Sequence, residues 1–418
     1  MAEIKAFQAW RYHERFQDQL DTLTSPLFDV VSDAYRRLLY ANPYNSIHLS
    51  SPAGDDPAAA AAACLHRWLE EEVLVREPMP CLYAYEQVFS LPGSHRVYRR
   101  KGFICNIRAY PWEAGVVRRH ENTIPQAVNE RAQILAATHM HSSPTHGLYH
   151  DPDFTLEPYL DDALRQPLYQ VEDHQGVINR LGRISDPEII QFFEAQLAPQ
   201  MIILADGHHR YEASLIYQET LESDDPQHPG RFHPMYLTND ASDDLRILPT
   251  HRLLVGWAAL EVDDLLQKLN RYFVVRPLAT AYDIEEVIAG KRWAFGLILP
   301  QGAFKLRLRP EVHERMRWPF PEEVKALDLT VLHYFFFRAV LGIRGRDQRS
   351  SPHIRFERNF AVCLDQVRDG NAQAALITNE IEMDEVRRIC QSGYTMPQKS
   401  TYFYPKVLAG LLFSSINL

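Results

Sequence analysis

The sequence predicts an α+β (mixed α/β) protein built from more than one domain. Its 418 residues and 46% hydrophobic content are enough to bury a large core. Segments rich in aromatic and β-branched residues alternate along the chain with segments whose apolar residues recur at helical spacing. No internal repeat or long low-complexity tract replaces this mixed pattern.

The first region, residues 1–112, is predicted to contain a helix followed by a hairpin. Asp55 or Asp56 can cap the helix that starts at Pro57, because a carboxylate accepts from free backbone amides and proline suits a first turn. The hairpin strands are predicted at 81–89 and 97–110, on either side of LPGSH.

The second region, residues 113–276, is predicted to be a mixed α/β core, and the third, residues 277–418, another α/β region whose terminal motif can return to a site in the second. In the second, we expect helices at 125–139, after Asp186 and after Gly207, with strands within 167–184, at 201–205 and at 233–239. In the third, we expect strands at 293–300, 303–310 and 374–380, and helices at 328–343 and 383–394.

Charge and composition exclude several classes of protein. The formal charge of −10 disfavours a protein that grips nucleic-acid phosphates. No apolar run reaches the roughly 18 to 20 residues of a membrane span, and the start lacks a signal-peptide core, so a soluble, cytoplasmic protein is expected. Five scattered cysteines predict reduced, mostly buried thiols. A homo-oligomer is compatible with the sequence.

The stretch IILADGHHRYEAS, residues 202–214, is predicted to form a strand, a tight turn and a helix. A helix N-terminus presents backbone N–H groups and the positive end of the helix dipole, which suits phosphate. Gly207 permits close approach of a ligand, and His208, His209 and Arg210 supply donors around it. Asp206 fits if the phosphate carries Mg²⁺, since that ion prefers carboxylate oxygen. The turn therefore predicts a site for a nucleotide phosphate with magnesium.

The same turn has simpler interpretations. Asp206 can cap the helix while Arg210 pairs with it, leaving both histidines as polar turn residues. A zinc site is disfavoured, because adjacent histidines on a helix point in different directions.

Two further clusters carry candidate site residues. In VRRHENT, residues 117–123, Glu121 is a candidate general base, and a salt-bridged surface loop is the alternative. Near the end of the chain, Lys399, Ser400 and Thr401 can add a cation and hydroxyl donors to an anion site; alternatively, they belong to a docked terminal strand that leaves Lys406 exposed. The histidines from 139 to 150 are expected in a mobile surface loop.

Six motifs in order make the chain resemble the bacterial and archaeal family called domain of unknown function 1015. They are SPLFDVV (25–31), NPYNSIHL (42–49), RRHENT (118–123), LADGHHRYEAS (204–214), ILPTHR (247–252) and MPQKSTYFYPK (396–406). The Asp-Gly-His-His-Arg turn is similar to that of the ParB-like free-serine kinases and, more distantly, to the nucleotide turn of sulfiredoxins.

This resemblance implies a ParB/sulfiredoxin-like nucleotide-binding core at residues 113–276 and a set of roles. Asp206 would lie near the metal and act with His209 in catalysis, while the turn from Gly207 to Arg210 would hold the phosphates. Glu121 would take the proton from the substrate hydroxyl.

The leading hypothesis is a Mg²⁺-dependent kinase that transfers phosphate from ATP or ADP to a small metabolite, with free L-serine the first candidate. The alternatives are a nucleotide-responsive regulatory module without catalysis and a metal-dependent hydrolase.

Overall fold

The computed structural model describes residues 1–27, 33–91, 94–257, 261–345, 347–349, 351–397 and 399–417. Part of the SPLFDVV motif, the Pro-Gly pair of the predicted hairpin turn and one residue of the MPQKSTYFYPK motif lie outside these ranges. The described chain divides into two compact units, Met1–Arg119 with Thr123–Arg246 and Pro405–Leu418, and His120–Asn122 with Ile247–Tyr404.

The first unit is built on one mixed sheet. Its helices are α1 (Leu20–Leu23), α2 (Asp33–Ala41), α3 (Ile47–Ser50), α4 (Pro57–Glu70), α5 (Pro125–Thr138), α6 (Glu157–Ala163), α7 (Pro187–Leu197) and α8 (His208–Glu219). Its strands are β1 (Ile4–Lys5), β2 (Trp10–Tyr12), β3 (Leu74–Arg76), β4 (Leu82–Ser90), β5 (Val97–Arg108), β6 (Val117–Arg119), β7 (Met140–His141), β8 (Thr145–Tyr149), β9 (Tyr169–Glu172), β10 (Ile178–Ile184), β11 (Ile202–Asp206) and β12 (Phe232–Asn239).

The sheet order explains why the predicted first and second regions do not coincide with separate units. Among the described strands the order is β6-β11-β8-β12-β5-β4-β10-β9, with β1 added beside β5. The predicted hairpin β4–β5 therefore pairs with β12 through β5, so both predicted regions share one sheet. The predicted boundary at 276/277 likewise falls inside the second unit.

Both faces of this sheet are covered. In β4, Tyr83 and Tyr85 join one apolar cluster, while Leu82 and Ala84 join another. Successive strand residues point to opposite faces, so burial on both sides removes the apolar-polar alternation that a half-exposed strand would show.

The second unit contains a six-stranded sheet among its described residues, in the order β15-β17-β16-β19-β14-β18. Its strands are β13 (Arg246–Leu248), β14 (His251–Leu254), β15 (Phe273–Pro277), β16 (Ala294–Leu299), β17 (Gly302–Leu308), β18 (Ile354–Glu357), β19 (Ala374–Ile377) and β20 (Tyr402–Tyr404), and β13 pairs with β20.

One more strand, β21 (Ser414–Ser415), belongs to the first unit, where it pairs with β7.

The helices of the second unit include one with unusual winding. They are α9 (Val262–Leu269), α10 (Ile284–Ile288), α11 (Pro310–His313), α12 (Glu322–Lys325), α13 (Asp328–Val331), α14 (Phe360–Arg368) and α15 (Met383–Ser392). After α13 the chain continues as a π-helix, Leu332–Val340. The described residues contain no helix with the length and apolar character of a bilayer span.

The mixed α/β class is confirmed, and so are most predicted elements. Asp56 caps α4 by accepting from the backbone N–H of Ala59 at 3.0 Å. The expected mobile histidine loop was wrong, because His141 belongs to β7 and His146 to β8. His146 is buried in β8, where its Nε2 bonds the Thr238 hydroxyl at 2.8 Å. A polar partner inside the sheet makes burial of this histidine favourable.

Candidate functional site

The strand-turn-helix corner forms as the sequence predicts. β11 ends at Asp206, Gly207 adopts a left-handed backbone with φ 91°, and α8 begins at His208. A Cβ on residue 207 would lie 2.5 Å from Cγ2 of Thr145, closer than any real Cβ contact. Only glycine fits here, for its positive φ and for its missing side chain. The N-cap residue therefore has no side chain with which to cap α8.

Asp206 lies among basic side chains of the first unit. The Lys406 ammonium pairs with Oδ1, and the Arg210 guanidinium lies 3.4 Å from Oδ2. Burial alone would raise the pKa of Asp206, but the charges of Lys406 and Arg210 outweigh it and hold that pKa well below its ordinary value. Burial lowers the pKa of Arg100, and the negative charge of Asp206 is one of the influences that raise it. Two cations, Lys406 and Arg210, thus contact one ionised carboxylate.

Lys406 owes its position to the backbone around it. The amide of Gln87 donates to the carbonyl oxygen of Lys406 at 3.0 Å, and Arg100 donates to the carbonyl oxygen of Pro405. The Lys406 side chain is only 10% exposed. The alternative interpretation, in which Lys406 is exposed, was wrong, because these bonds fix the segment where its ammonium contacts Asp206.

Arg210 and His209 already serve structural roles in the first unit. Arg210 Nη1 donates to the Ser143 hydroxyl and the Pro144 carbonyl, each at 2.7 Å. His209 Nε2 accepts the backbone N–H of Ile124 at 3.0 Å, so this nitrogen carries no proton. The simpler interpretation of the turn is confirmed in part, since Arg210 pairs with Asp206. It fails for the helix cap, because Gly207 occupies the N-cap position.

A second tie joins α8 to the segment before α5. Oε2 of Glu212 accepts from the Thr123 hydroxyl at 2.5 Å and lies 3.4 Å from Arg119. Together with the bond from Ile124 to His209, this tie fixes the start of α8 against the start of α5. Rigid support of this kind is what holds a binding residue in place.

The remaining candidates lie in the second unit. Glu121 is half-buried. Burial lowers the pKa of Arg252 to about 9, although the negative charge of Glu121 acts to raise it. Arg252 also donates to the Lys399 carbonyl at 3.3 Å. Thr401 Oγ1 lies 2.7 Å from Nε2 of His120, the residue before Glu121. Thr401 and Lys399 therefore lie around the loop that carries Glu121.

Ser400 does not present its hydroxyl in the same way. It is buried, and its Oγ donates to the Pro397 carbonyl within its own turn. Its role in cofactor binding stays a prediction.

The acidic and histidine side chains do not form a preformed metal centre in the described part of the chain. Within the described ranges, no group of three or more His, Cys, Asp or Glu side chains is arranged to hold a metal ion. A preformed zinc centre is therefore absent from that part of the chain. A lone carboxylate such as Asp206 is still compatible with Mg²⁺, which is commonly held by one or two carboxylates together with substrate phosphates.

Sequence reasoning missed two cations that interact with Asp206, Lys406 and Arg100. Lys406 stands within the quoted motif MPQKSTYFYPK, for which a return to the site was considered, but its residue type gave no indication that it pairs with Asp206. Arg100 belongs to the charged run YRRK in β5, where alternation places one arginine inward and leaves its neighbour Arg99 half outside. That alternation was the available signal.

Comparison with known proteins gives a family and distant structural neighbours. A family model described as a protein of unknown function (DUF1015) matches residues 4–330. Among curated proteins, none matches the sequence.

Solved structures resemble the chain only weakly. A conserved hypothetical protein from Pyrococcus furiosus is 13% identical, with a TM-score of 0.36 over 70% of this chain and 89% of that one. A free serine kinase in complex with AMP is 12% identical, with a TM-score of 0.36 over 71% and 88%. C-terminally truncated SbnI from Staphylococcus aureus is 10% identical, with a TM-score of 0.36 over 73% and 85%.

Proposed function

The chain belongs to the DUF1015 family of proteins of unknown function, and we propose that it is a magnesium-dependent kinase that transfers phosphate from a nucleotide to the hydroxyl of a small metabolite. One observation carries the proposal. Lys406 and Arg210 converge on Asp206 at the N-terminus of α8, so two cations and the positive end of a helix dipole meet at one corner.

The charge balance of the corner favours a phosphate. Two cations, Lys406 and Arg210, pair with the single charge of Asp206, and the charge of Asp206 also acts on Arg100; a phosphate group would supply the missing negative charge. Lysine has a flexible stem with three donors, so the Lys406 ammonium can move from Asp206 to a phosphate oxygen without a change of backbone. Arg210, fixed by its bonds to Ser143 and Pro144, would stay in place and position the ligand.

Asp206 is the residue that would hold magnesium. The ion would neutralise phosphate charge during transfer. Asp206 stays ionised at every physiological pH because of the lysine and arginine beside it, so it is always able to bind a cation. Exchange of Lys406 from Asp206 to phosphate would leave one carboxylate oxygen available to the ion.

The reaction needs little covalent help from the protein. The γ-phosphoryl of ATP, or the β-phosphoryl of ADP, forms a new bond to the acceptor oxygen as its bond to the nucleotide breaks, leaving ADP or AMP. The acceptor hydroxyl loses its proton, and Glu121, by its resemblance to the base of the free-serine kinases, would take it. Free L-serine is the first acceptor to test.

The experiment is direct. Purified protein is incubated with Mg²⁺, L-serine and either ATP or ADP, and mass spectrometry is used to look for phosphoserine. Product that requires magnesium supports the proposal, and product that disappears in Glu121→Gln supports the role of the base. Absence of phosphorylated product with either nucleotide, across a panel of hydroxyl metabolites, would overturn it.

A second function is favoured by one observation, namely that Arg210 and Asp206 are both engaged within the protein. A regulatory module that binds a nucleotide by exchanging these ion pairs would need no catalytic base. In that case Glu121→Gln would leave every nucleotide-dependent property unchanged, whereas in the kinase it would stop turnover and spare nucleotide binding.

A further inference from the structure

The second unit contains a cavity that the proposed kinase does not use. Its volume is about 470 Å³, within the range of small-molecule sites. It lies where the segment before β16, the start of α13 and the first turns of α15 come together, and all of its lining belongs to the second unit. Charged groups of both signs line it together with the apolar side chains Leu327, Leu329 and Ile381.

Two oxygen acceptors lie side by side at this cavity. Nδ2 of Asn379 lies 3.5 Å from Oδ2 of Asp328 and donates to the carbonyl oxygen of Lys291 at 3.3 Å. Oδ1 of Asn379 receives no hydrogen bond from another described residue, and it is not sealed off from solvent. Asp328 accepts the backbone N–H of Trp293 at 2.7 Å, but within the described chain it has no cation in an ion pair. Two such acceptors favour an ammonium group, which has three donors and no acceptor.

Two arginines at the same cavity form no ion pair with a described carboxylate. Cζ of Arg292 lies 4.3 Å from the centroid of the Trp293 ring, and Nε of Arg388 donates to the carbonyl oxygen of Asp384 at 3.3 Å. Both arginines are exposed, so a ligand can reach them. A guanidinium favours a carboxylate, to which it can donate two parallel hydrogen bonds.

The two glutamates at the start of α15 are engaged by the helix itself. They form a capping box, in which the Glu382 side chain accepts the backbone N–H of Glu385, and Oε2 of Glu385 accepts the backbone N–H of Glu382 at 3.1 Å. Residues three apart on a helix share a face, so Glu385 and Arg388 lie on the same side of α15. That side lines the cavity, and the charge of Glu385 acts on Asp328. Arg388 and the two acceptors therefore belong to one site.

We propose that this cavity binds a small apolar α-amino acid. Its ammonium group donates to Asp328 and Asn379, and its carboxylate accepts from Arg292 and Arg388. The apolar lining contacts its side chain. L-Leucine is the probe, and because it has no hydroxyl group on its side chain, it cannot be the acceptor in the proposed phosphoryl transfer. The inference therefore does not rest on the kinase activity.

The test is calorimetric titration of the full chain with L-leucine and with two analogues, each of which lacks one charged group. Isoamylamine lacks the carboxylate, and isocaproate lacks the ammonium group. We expect L-leucine to bind at least about tenfold more tightly than either analogue, because each analogue loses hydrogen bonds to a charged partner.

Two substitutions separate the two ends of the ligand. Asp328→Asn keeps an oxygen for the N–H of Trp293 and removes the charge, so it should weaken L-leucine binding about tenfold and leave isocaproate unchanged. Arg388→Met should weaken L-leucine and isocaproate about tenfold and leave isoamylamine unchanged. Arg387→Met is the matched control, because Arg387 lies on the same helix, pairs with Asp384 at 2.8 Å and does not line the cavity.

The response to acid is an independent measurement. Burial raises the pKa of Asp328 to about 6; the charge of Glu385 also raises it, and the charge of Arg292 lowers it. The ammonium group binds the ionised carboxylate, so L-leucine should bind about tenfold more weakly at pH 5 than at pH 7, and Asp328→Asn should remove this dependence. The other charged groups of the lining are Lys291, Glu380, Glu382 and Arg388.

Three results would overturn the proposal. They are no binding of L-leucine or of the smaller L-valine and L-alanine, equal binding of L-leucine and both analogues, and equal effects of Arg387→Met and Arg388→Met. If Asp328→Asn does not fold, as judged by circular dichroism, the pH dependence of the unaltered protein and the response of Arg388→Met decide the outcome. L-Leucine binding by a protein that forms no phosphorylated product would support this site and count only against the kinase.

Discussion

Replacing Lys406 with methionine tests the buried ion pair on which the proposed site depends. Methionine keeps the length of the side chain and removes its charge. Arg210 would remain 3.4 Å from the carboxylate, and an interaction at that distance is worth about 5 kcal/mol before desolvation at an effective dielectric constant of about 20. Removing one partner of a buried pair costs about 3–5 kcal/mol, and because Arg210 stays, we expect about 3 kcal/mol. Urea denaturation at pH 7 measures this loss.

An exposed pair and a double mutant complete the experiment. Lys268 pairs with Asp264 at 2.6 Å, but the two side chains are 44% and 54% exposed, so Lys268→Met should cost less than about 0.5 kcal/mol. Asp206→Asn together with Lys406→Met should cost at least about 2 kcal/mol less than the sum of the single changes, because each single change leaves a charge unmatched. Strict additivity, or equal effects at Lys406 and Lys268, would show that the Lys406–Asp206 pair does not stabilise the fold more than an exposed pair does.

Three further predictions concern the turn, the base and the response to acid. Gly207→Ala should reduce the free energy of unfolding by about 2 kcal/mol more than Gly290→Ala, as measured by urea denaturation. Both glycines have positive φ, but only a Cβ at residue 207 would clash, with the side chain of Thr145. Glu121→Gln should abolish phosphoserine formation while calorimetry shows unchanged ADP affinity. The folded-state pKa of His333 is lowered, so its contribution to stability is present above pH about 6.5 and lost as pH falls toward 3. His333→Phe should therefore reduce the dependence of unfolding free energy on pH by about 1.4 kcal/mol per unit in that window.

Local structure could be predicted from the sequence wherever residues within one short stretch determine its conformation. Asp56 and Pro57 define the start of α4, and the left-handed turn at Gly207 follows from a strand meeting a helix in too little space for a Cβ. The corner that carries Asp206 was predicted for the same reason.

The burial of His146 in β8 could not be predicted from its neighbours in sequence. Its segment is rich in Ser, Pro, Thr and Gly, which by local preference favours a loop. In the sheet, β8 lies between β11 and β12, and His146 is satisfied by Thr238, a residue 92 positions away. Long-range pairing overrode local propensity.

The position of Lys406 depends on contacts even more distant in sequence. Its ammonium meets a carboxylate 200 positions earlier, and Gln87 holds its carbonyl from 319 positions away. A lysine in an aromatic segment near the end of a chain is usually solvated, so its residue type gave no indication of burial. The cationic part of the site therefore required the tertiary structure.

A crystal structure of the protein soaked with Mg²⁺ and ADP would show whether the N-terminus of α8 binds phosphate. We expect phosphate density there, within hydrogen-bond distance of Lys406 and of the turn from Gly207 to Arg210, with Lys406 withdrawn from Asp206. An unchanged Lys406–Asp206 pair, with nucleotide bound elsewhere or nowhere, would contradict it.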